Sequence, residues 1–350
     1  MNLPFSPNLP TSKLASVFNN TSATYKFYWL LSIVELVEKG ILEIPKEKIF
    51  ARMISNSWYT INYFHLSFGK QDKFQTAVEE ILIFENLTID EKKDHINSTL
   101  ENSINLSTRK NLFHFDKNVP HWFLSPWFPN KNRKEIYLAS QSFENNCIYS
   151  LHADKIVINP EWVTYLQLNS KIIKDFCYWN LALFLQNRNP NVPDIPNKLI
   201  KPPVRNGLTK QTNQYWKLVF EDKEFIECIF TGNKLTLENK NFALDHFIPH
   251  AFVSHDLIWN LVPIDKSFNL IKSDKLPSVD KYFDKFFKLQ KMAFEIVKDK
   301  NPKNKFIEDY LTIFPILDNV DDFNYEKYKE SIHPLMTIAS NNGFLFMSNE

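Results

Sequence analysis

Residues 243–275 read ALDHFIPHAFVSHDLIWNLVPIDKSFNLIKSDK, with an Asp–His pair ahead of a proline, then two spaced asparagines and a lysine. A packed apolar core needs none of these polar groups. Asp245 offers a carboxylate oxygen and Asn269 an amide oxygen. Both are hard donors suited to an octahedral Mg²⁺ that keeps several waters and accepts phosphate oxygens from a substrate. A histidine side chain changes charge near physiological pH, so a neutral imidazole at position 246 can take a proton from water. Lys272 can neutralise a flanking phosphate. Metal-assisted hydrolysis of a phosphodiester uses every member of this set.

These side chains work together only if local structure brings them together. FALDHFI has the β-branched and aromatic character of a strand, ended by Pro249. A regular strand would point Asp245 and His246 to opposite faces, so they can share a site only where the strand stops or twists. PHAFVSHDLIW reads as a loop and NLVPI as a second short strand. DKSFNLIKSDK reads as a helix capped by Asp265, on which Asn269 and Lys272, three apart, share a face. The expected unit is strand, loop, strand, helix.

The pattern D-H-x-x-P, N-L, N-x-x-K is carried by Asp245, His246, Pro249, Asn260, Leu261, Asn269 and Lys272. It resembles the HNH (ββα-metal) endonuclease family, and its loop spacing is similar to that of the cysteine-free HNH domain of RNA-guided CRISPR nucleases. The likeness covers roughly residues 225–277. The upstream CIFTGNKLTLENKNF resembles the C-x-x-C-G lead-in of zinc-bearing relatives, with Thr231 where a second cysteine would stand. Asp265 and Phe268 stand where those relatives place the distal pair. The resemblance therefore implies no structural zinc, with packing from C-terminal helices in its place. It also implies Asp245 and Asn269 as ligands of Mg²⁺ or Mn²⁺ and His246 as general base. Asn260 would hold the loop that orients the histidine, and Lys272 would complete the catalytic set. The implied protein is a bacterial HNH endonuclease domain-containing protein acting on DNA, double-stranded first, with RNA left open. Stretches such as FYWLLSIVELVEKG and HLSFGKQDK resemble larger HNH proteins of phage-defence or mobile-element context.

The rest of the 350-residue chain must supply scaffold and substrate contacts. Apolar residues make up 44%, with 31 Phe and only 5 Gly, which suits packed globular domains and excludes a disordered chain. A net charge of +1 excludes a uniformly basic coat but not a local basic groove. Cys147, Cys177 and Cys228 are too few and too scattered for a disulfide framework and include no C-x-x-C. The most apolar stretch, FYWLLSIVELV, is about half the length a bilayer span requires and carries Glu35. A soluble cytoplasmic protein is expected. No GKS/T-type loop is present, which argues against an NTPase.

The expected fold class is α+β, mainly α-helical, with the C-terminal ββα unit flanked by helices. A helical region spans 1–110, starting with a helix from about Tyr25 with Thr24 as cap and Gly40 as stop. A middle region, 111–218, holds a hairpin near IYSLHADKIVINP, one long helix over 161–186, and an extended Pro-rich basic linker at 187–217. The nuclease domain and its C-terminal helices occupy 219–350. Linker residues Lys198, Lys201, Arg205, Lys210 and Lys217 are candidates for nucleic-acid contact, and His250 is a candidate in the site loop. His114 and His121 are assigned no role. One site cuts one strand, so double-strand cleavage calls for a homodimer, a partner protein or two visits. Two other readings stand beside this one. Asp194, Glu221 and Lys223 supply the letters of a PD-(D/E)xK nuclease, though Asp194 lies in a Pro-rich segment. A DNA-binding or interaction protein retaining an inactive ββα unit is the other.

Overall fold

The computed structural model describes residues 3–200 and 207–348. They form two compact units, Met1–Pro190 with Ile195–Pro203, and Asn191–Asp194 with Val204–Glu350.

The first unit is organised around the helix Tyr25–Glu38, whose run from Phe27 to Val34 is buried without interruption. A helix apolar on every side is stable only when surrounded. It packs against the helices Lys46–Asn62, Val119–Phe123, Pro160–Leu168 and Ser170–Gln186. It ends as expected at Gly40, whose φ of +77° suits a residue without Cβ. Thr24 holds the N-cap position as expected, but its side chain makes no capping bond to the helix amides. The Thr24 amide and hydroxyl instead donate to Asp72 Oδ2 at 2.7 and 2.8 Å, tying a distant loop to the helix start. The expected long helix over 161–186 is two helices broken at Asn169, whose side-chain amide donates to the Tyr165 carbonyl.

A small antiparallel sheet lies in this unit, in the order β1 (Glu43–Pro45), β3 (Lys155–Ile158), β2 (Tyr149–Leu151). The β2–β3 pair is the expected hairpin, and β1 joins it with Ile44 opposite Ile156. Tyr149 anchors the sheet: its hydroxyl accepts from Trp29 Nε1 at 3.0 Å and donates to the Pro120 carbonyl at 2.7 Å.

The Pro-rich segment expected to be extended contains a helix, Ile195–Ile200, with Pro196 in its first turn where the missing N–H costs nothing. In the second unit, Thr209–Gln211 continues through a π-helical turn, Thr212–Trp216, into the helix Lys217–Lys223. Tyr215 and Trp216 are fully buried there. The long helix Val279–Lys300 and the last helix Tyr325–Asn341 form the base of this unit. Phe286, Tyr328 and Phe314 stack between them, with Phe286 5.6 Å and Phe314 5.8 Å from the Tyr328 ring. No helix among the described residues is long and apolar enough to cross a membrane.

Candidate active site

β6 (Phe242–His246) and β7 (Leu261–Asp265) pair antiparallel from Phe242 opposite Asp265 to His246 opposite Leu261. The helix Lys266–Lys272 follows at once. β6 ends at His246, and the next residue, Phe247, stacks on Phe286 with ring centroids 4.0 Å apart. The strand's alternation stops at its last residue. Asp245 and His246, neighbours in sequence, therefore line one cavity of about 640 Å³ together with Asn269, Lys266, His250 and Asp256.

The loop between the strands is closed by a buried carboxamide. Asn260 Nδ2 donates to the Ile248 carbonyl and its Oδ1 accepts from the Ile248 amide, each at 2.8 Å. Two backbone groups just past His246 are thus satisfied by one side chain. The segment carrying Asn260 is gripped from behind by the C-terminal elements. Gln290 Nε2 donates to the Leu261 carbonyl at 2.8 Å, Asp309 Oδ2 accepts from the Ile258 amide at 2.8 Å, and the Tyr328 hydroxyl donates to the Trp259 carbonyl at 2.5 Å. The Tyr310 hydroxyl in turn donates to Gln290 Oε1 at 2.5 Å.

Lys272 lies elsewhere than a phosphate contact would require. Its side chain is 1% exposed, and Nζ donates to Asp245 Oδ2 at 2.8 Å and to the His246 carbonyl at 2.7 Å. The ammonium faces inward, so the flanking-phosphate contact expected from sequence is corrected to a clamp on the Asp–His pair. With Oδ2 engaged, Asp245 keeps Oδ1 for another partner.

Sequence reasoning missed Asp256. Its Oδ1 is 3.0 Å from His246 Nε2, which also lies 3.2 Å from the His255 carbonyl. The hydrogen bond from His246 holds the Asp256 carboxyl below the usual carboxylate range, and the charges of His246, His250 and His255 act in the same direction. Nothing in the spacing signals this contact, since a separation of ten residues across a loop has no fixed geometry. His250 lines the cavity with Nε2 3.8 Å from the same Asp256 oxygen.

The helix bearing Asn269 and Lys272 is capped as expected. Asp265 Oδ1 accepts from the Ser267 amide at 2.9 Å and from its hydroxyl at 2.6 Å. Asp265 Oδ2 accepts from Asn233 Nδ2 at 2.9 Å, and together these bonds draw the Asp265 carboxyl down to about 2. Asn233 sits on the short hairpin of β4 (Ile226–Glu227) and β5 (Lys234–Leu235). The Asp265 amide also lies 3.5 Å from the buried Cys228 Sγ, and Phe268 stacks on Phe230, which packs edge-on to Tyr282. Hydrogen bonds and aromatic packing join hairpin, helix and base where the zinc-bearing relatives place metal ligands.

The other candidates are scattered. Lys201 and Arg205 lie outside the described residues. Lys198 is buried, which removes it as a backbone-contacting cation, and Lys217 lies 3.7 Å from Glu221 one helical turn on. Lys210 is exposed, and its neighbours Thr209 and Thr212 line the cavity. Glu221 and Lys223 are on a helix and Asp194 has φ +56°, so the core strand a PD-(D/E)xK site requires is not formed by these residues.

Among the described residues no group of three or more His, Cys, Asp or Glu side chains is placed to hold a metal ion. With His246 and Asp256 engaged with each other, the hard oxygen donors left at the cavity are Asp245 Oδ1 and the Asn269 amide oxygen, beside the His250 ring. This set fits Mg²⁺, which is held by few protein groups and completes its shell with water and phosphate, better than zinc, which wants three or four nitrogen or sulfur ligands.

A family model described as HNH endonuclease matches residues 228–278. Comparison with curated proteins and with solved structures gave no match. The family match covers the β4–β5 hairpin, both strands of the site, its loop and its helix, and the chain is accordingly an HNH endonuclease domain-containing protein.

Proposed function

We propose that this protein is a divalent-metal-dependent endonuclease that hydrolyses phosphodiester bonds in DNA. The observation that carries the reading is the convergence of Asp245, His246 and Asn269 on one cavity. Asp245 Oδ1 and the Asn269 carboxamide would hold Mg²⁺ or Mn²⁺. When bound, the cation supplies charge neutralisation at the scissile phosphate and at the departing oxygen. His246 takes a proton from the attacking water as its oxygen bonds to phosphorus and the P–O ester bond breaks. Asn260 fixes the backbone that follows His246, and Lys272 fixes Asp245 and the His246 carbonyl. Lys210 and His250, at or beside the cavity, serve as contacts to the nucleic-acid backbone. The resemblance of the N-terminal stretches supports a setting in restriction or phage defence.

The test is nicking of supercoiled plasmid DNA with Mg²⁺. The native protein is expected to convert supercoiled to open-circular DNA, and His246→Ala and Asn269→Ala are expected to bind DNA as well but cut at least about 100-fold more slowly. Equal binding with no cutting by any form, with Mg²⁺ or Mn²⁺ and on DNA or RNA, would replace the enzyme by a binding module built on the same unit.

A further inference from the structure

The Asp256 carboxylate lines the cavity and has no task in the hydrolysis described above. We propose that Asp256 is a positioning residue that holds His246 in the tautomer with hydrogen on Nε2, leaving Nδ1 as the basic nitrogen. This deepens the nuclease reading and rests on it for its catalytic consequence.

His246 Nε2 faces two acceptors, Asp256 Oδ1 at 3.0 Å and the His255 carbonyl at 3.2 Å. A lone pair on Nε2 would be repelled by both, whereas an N–H is shared between them, so the neutral ring carries its lone pair on Nδ1. The carbonyl alone sits at the long end of the N–H···O range. The carboxylate is closer and adds the strength of an ionised acceptor. The opposite tautomer has no lone pair at Nδ1 to receive a proton from water there.

Asp256 is itself held. Gln211 Nε2 donates to its carbonyl at 3.3 Å, and two residues on, the Ile258 amide is fixed by Asp309. His250 Nε2, at 3.8 Å from the same Oδ1, is too far for a hydrogen bond of that pair, and its ring stands edge-on to His246 at 5.1 Å between centroids. The imidazole is thus boxed between a carboxylate, a carbonyl and a second ring, and of the three only the carboxylate is a strong acceptor.

The experiment is Asp256→Asn in the full chain, an isosteric change at a position 31% exposed, with Asp256→Ser as second variant. The chain has nine histidines. Labelling them with ¹⁵N and assigning His246 by its loss in His246→Ala lets the tautomer be read at about pH 8, above the ordinary imidazole range. The wild type is expected to show His246 as the Nε2–H form, and both variants a mixture of tautomers. In plasmid cleavage kcat is expected to fall about 100-fold with KM for DNA little changed, since an incorrectly held general base loses turnover and not binding. A pure Nε2–H form in both variants, or an unchanged kcat, overturns the proposal. Cleavage by neither wild type nor variant is the failure of the nuclease reading. The spectrum, which needs no substrate, then decides alone whether Asp256 sets the tautomer.

Discussion

At the scale of single residues, the buried pair of Lys272 and Asp245 is the most consequential contact of the site. An ammonium and a carboxylate, 1% and 8% exposed and 2.8 Å apart, depend on each other because either one alone would be a desolvated charge. Lys272→Met should therefore lower the stability of the second unit by about 3 kcal/mol, read as a shift of its urea midpoint, and should reduce cleavage because Asp245 loses its orientation. A stability change within about 0.5 kcal/mol would show the pair to be dispensable. The identities of Asp245, His246, Asn260, Asn269 and Lys272 were legible because each is a polar group in a stretch otherwise built for a core. The direction in which Lys272 points was not. Its position three residues after Asn269 gives a shared face, but only the packing of the helix end against β6 turns the ammonium inward.

At the scale of elements, the site is a hairpin and a helix whose start is fixed by Asp265. Removing this cap in Asp265→Ala should cost about 1 kcal/mol, seen in urea unfolding at pH 7. The same carboxylate gives a pH signature with a definite sign. Its folded value, about 2, lies below the ordinary carboxylate value, so its contribution is complete above about pH 4 and is lost as pH falls toward 2. The gap in stability between the native protein and Asp265→Ala should narrow over that interval and stay constant above it. Element type was readable from periodicity and turn chemistry: both strands, the loop and the capped helix occur where FALDHFI, NLVPI and DKSFNLIK predict them. Periodicity did not reveal the break at Asn169, because an amphipathic stripe continues across it, nor the helix Ile195–Ile200, because prolines mark a first helical turn as readily as an extended segment.

At the scale of the whole molecule, two units with separate cores should respond to different solution conditions. In the first, burial and then the nearby Arg133 charge push the His121 imidazole down to about 4. The unfolded chain takes up a proton near 6.5 while the folded one stays neutral, so this unit should be fully stable above that pH and lose stability as pH falls from 6.5 to about 4. His121→Leu should flatten that slope in urea midpoints measured across the interval. In the second, Mg²⁺ at a hundred times its dissociation constant should raise stability by about 2.7 kcal/mol, an increase that Asn269→Ala abolishes and that the first unit does not share. The grip of Gln290, Asp309 and Tyr328 on residues 258–261 carries one more consequence. All three lie downstream of residue 278, where the family match ends. The ββα unit is therefore not a detachable cassette: excised at the borders of that match, it would lose the struts behind its central loop, so substitutions in the distal helices should abolish the proposed cleavage without touching any group at the cavity.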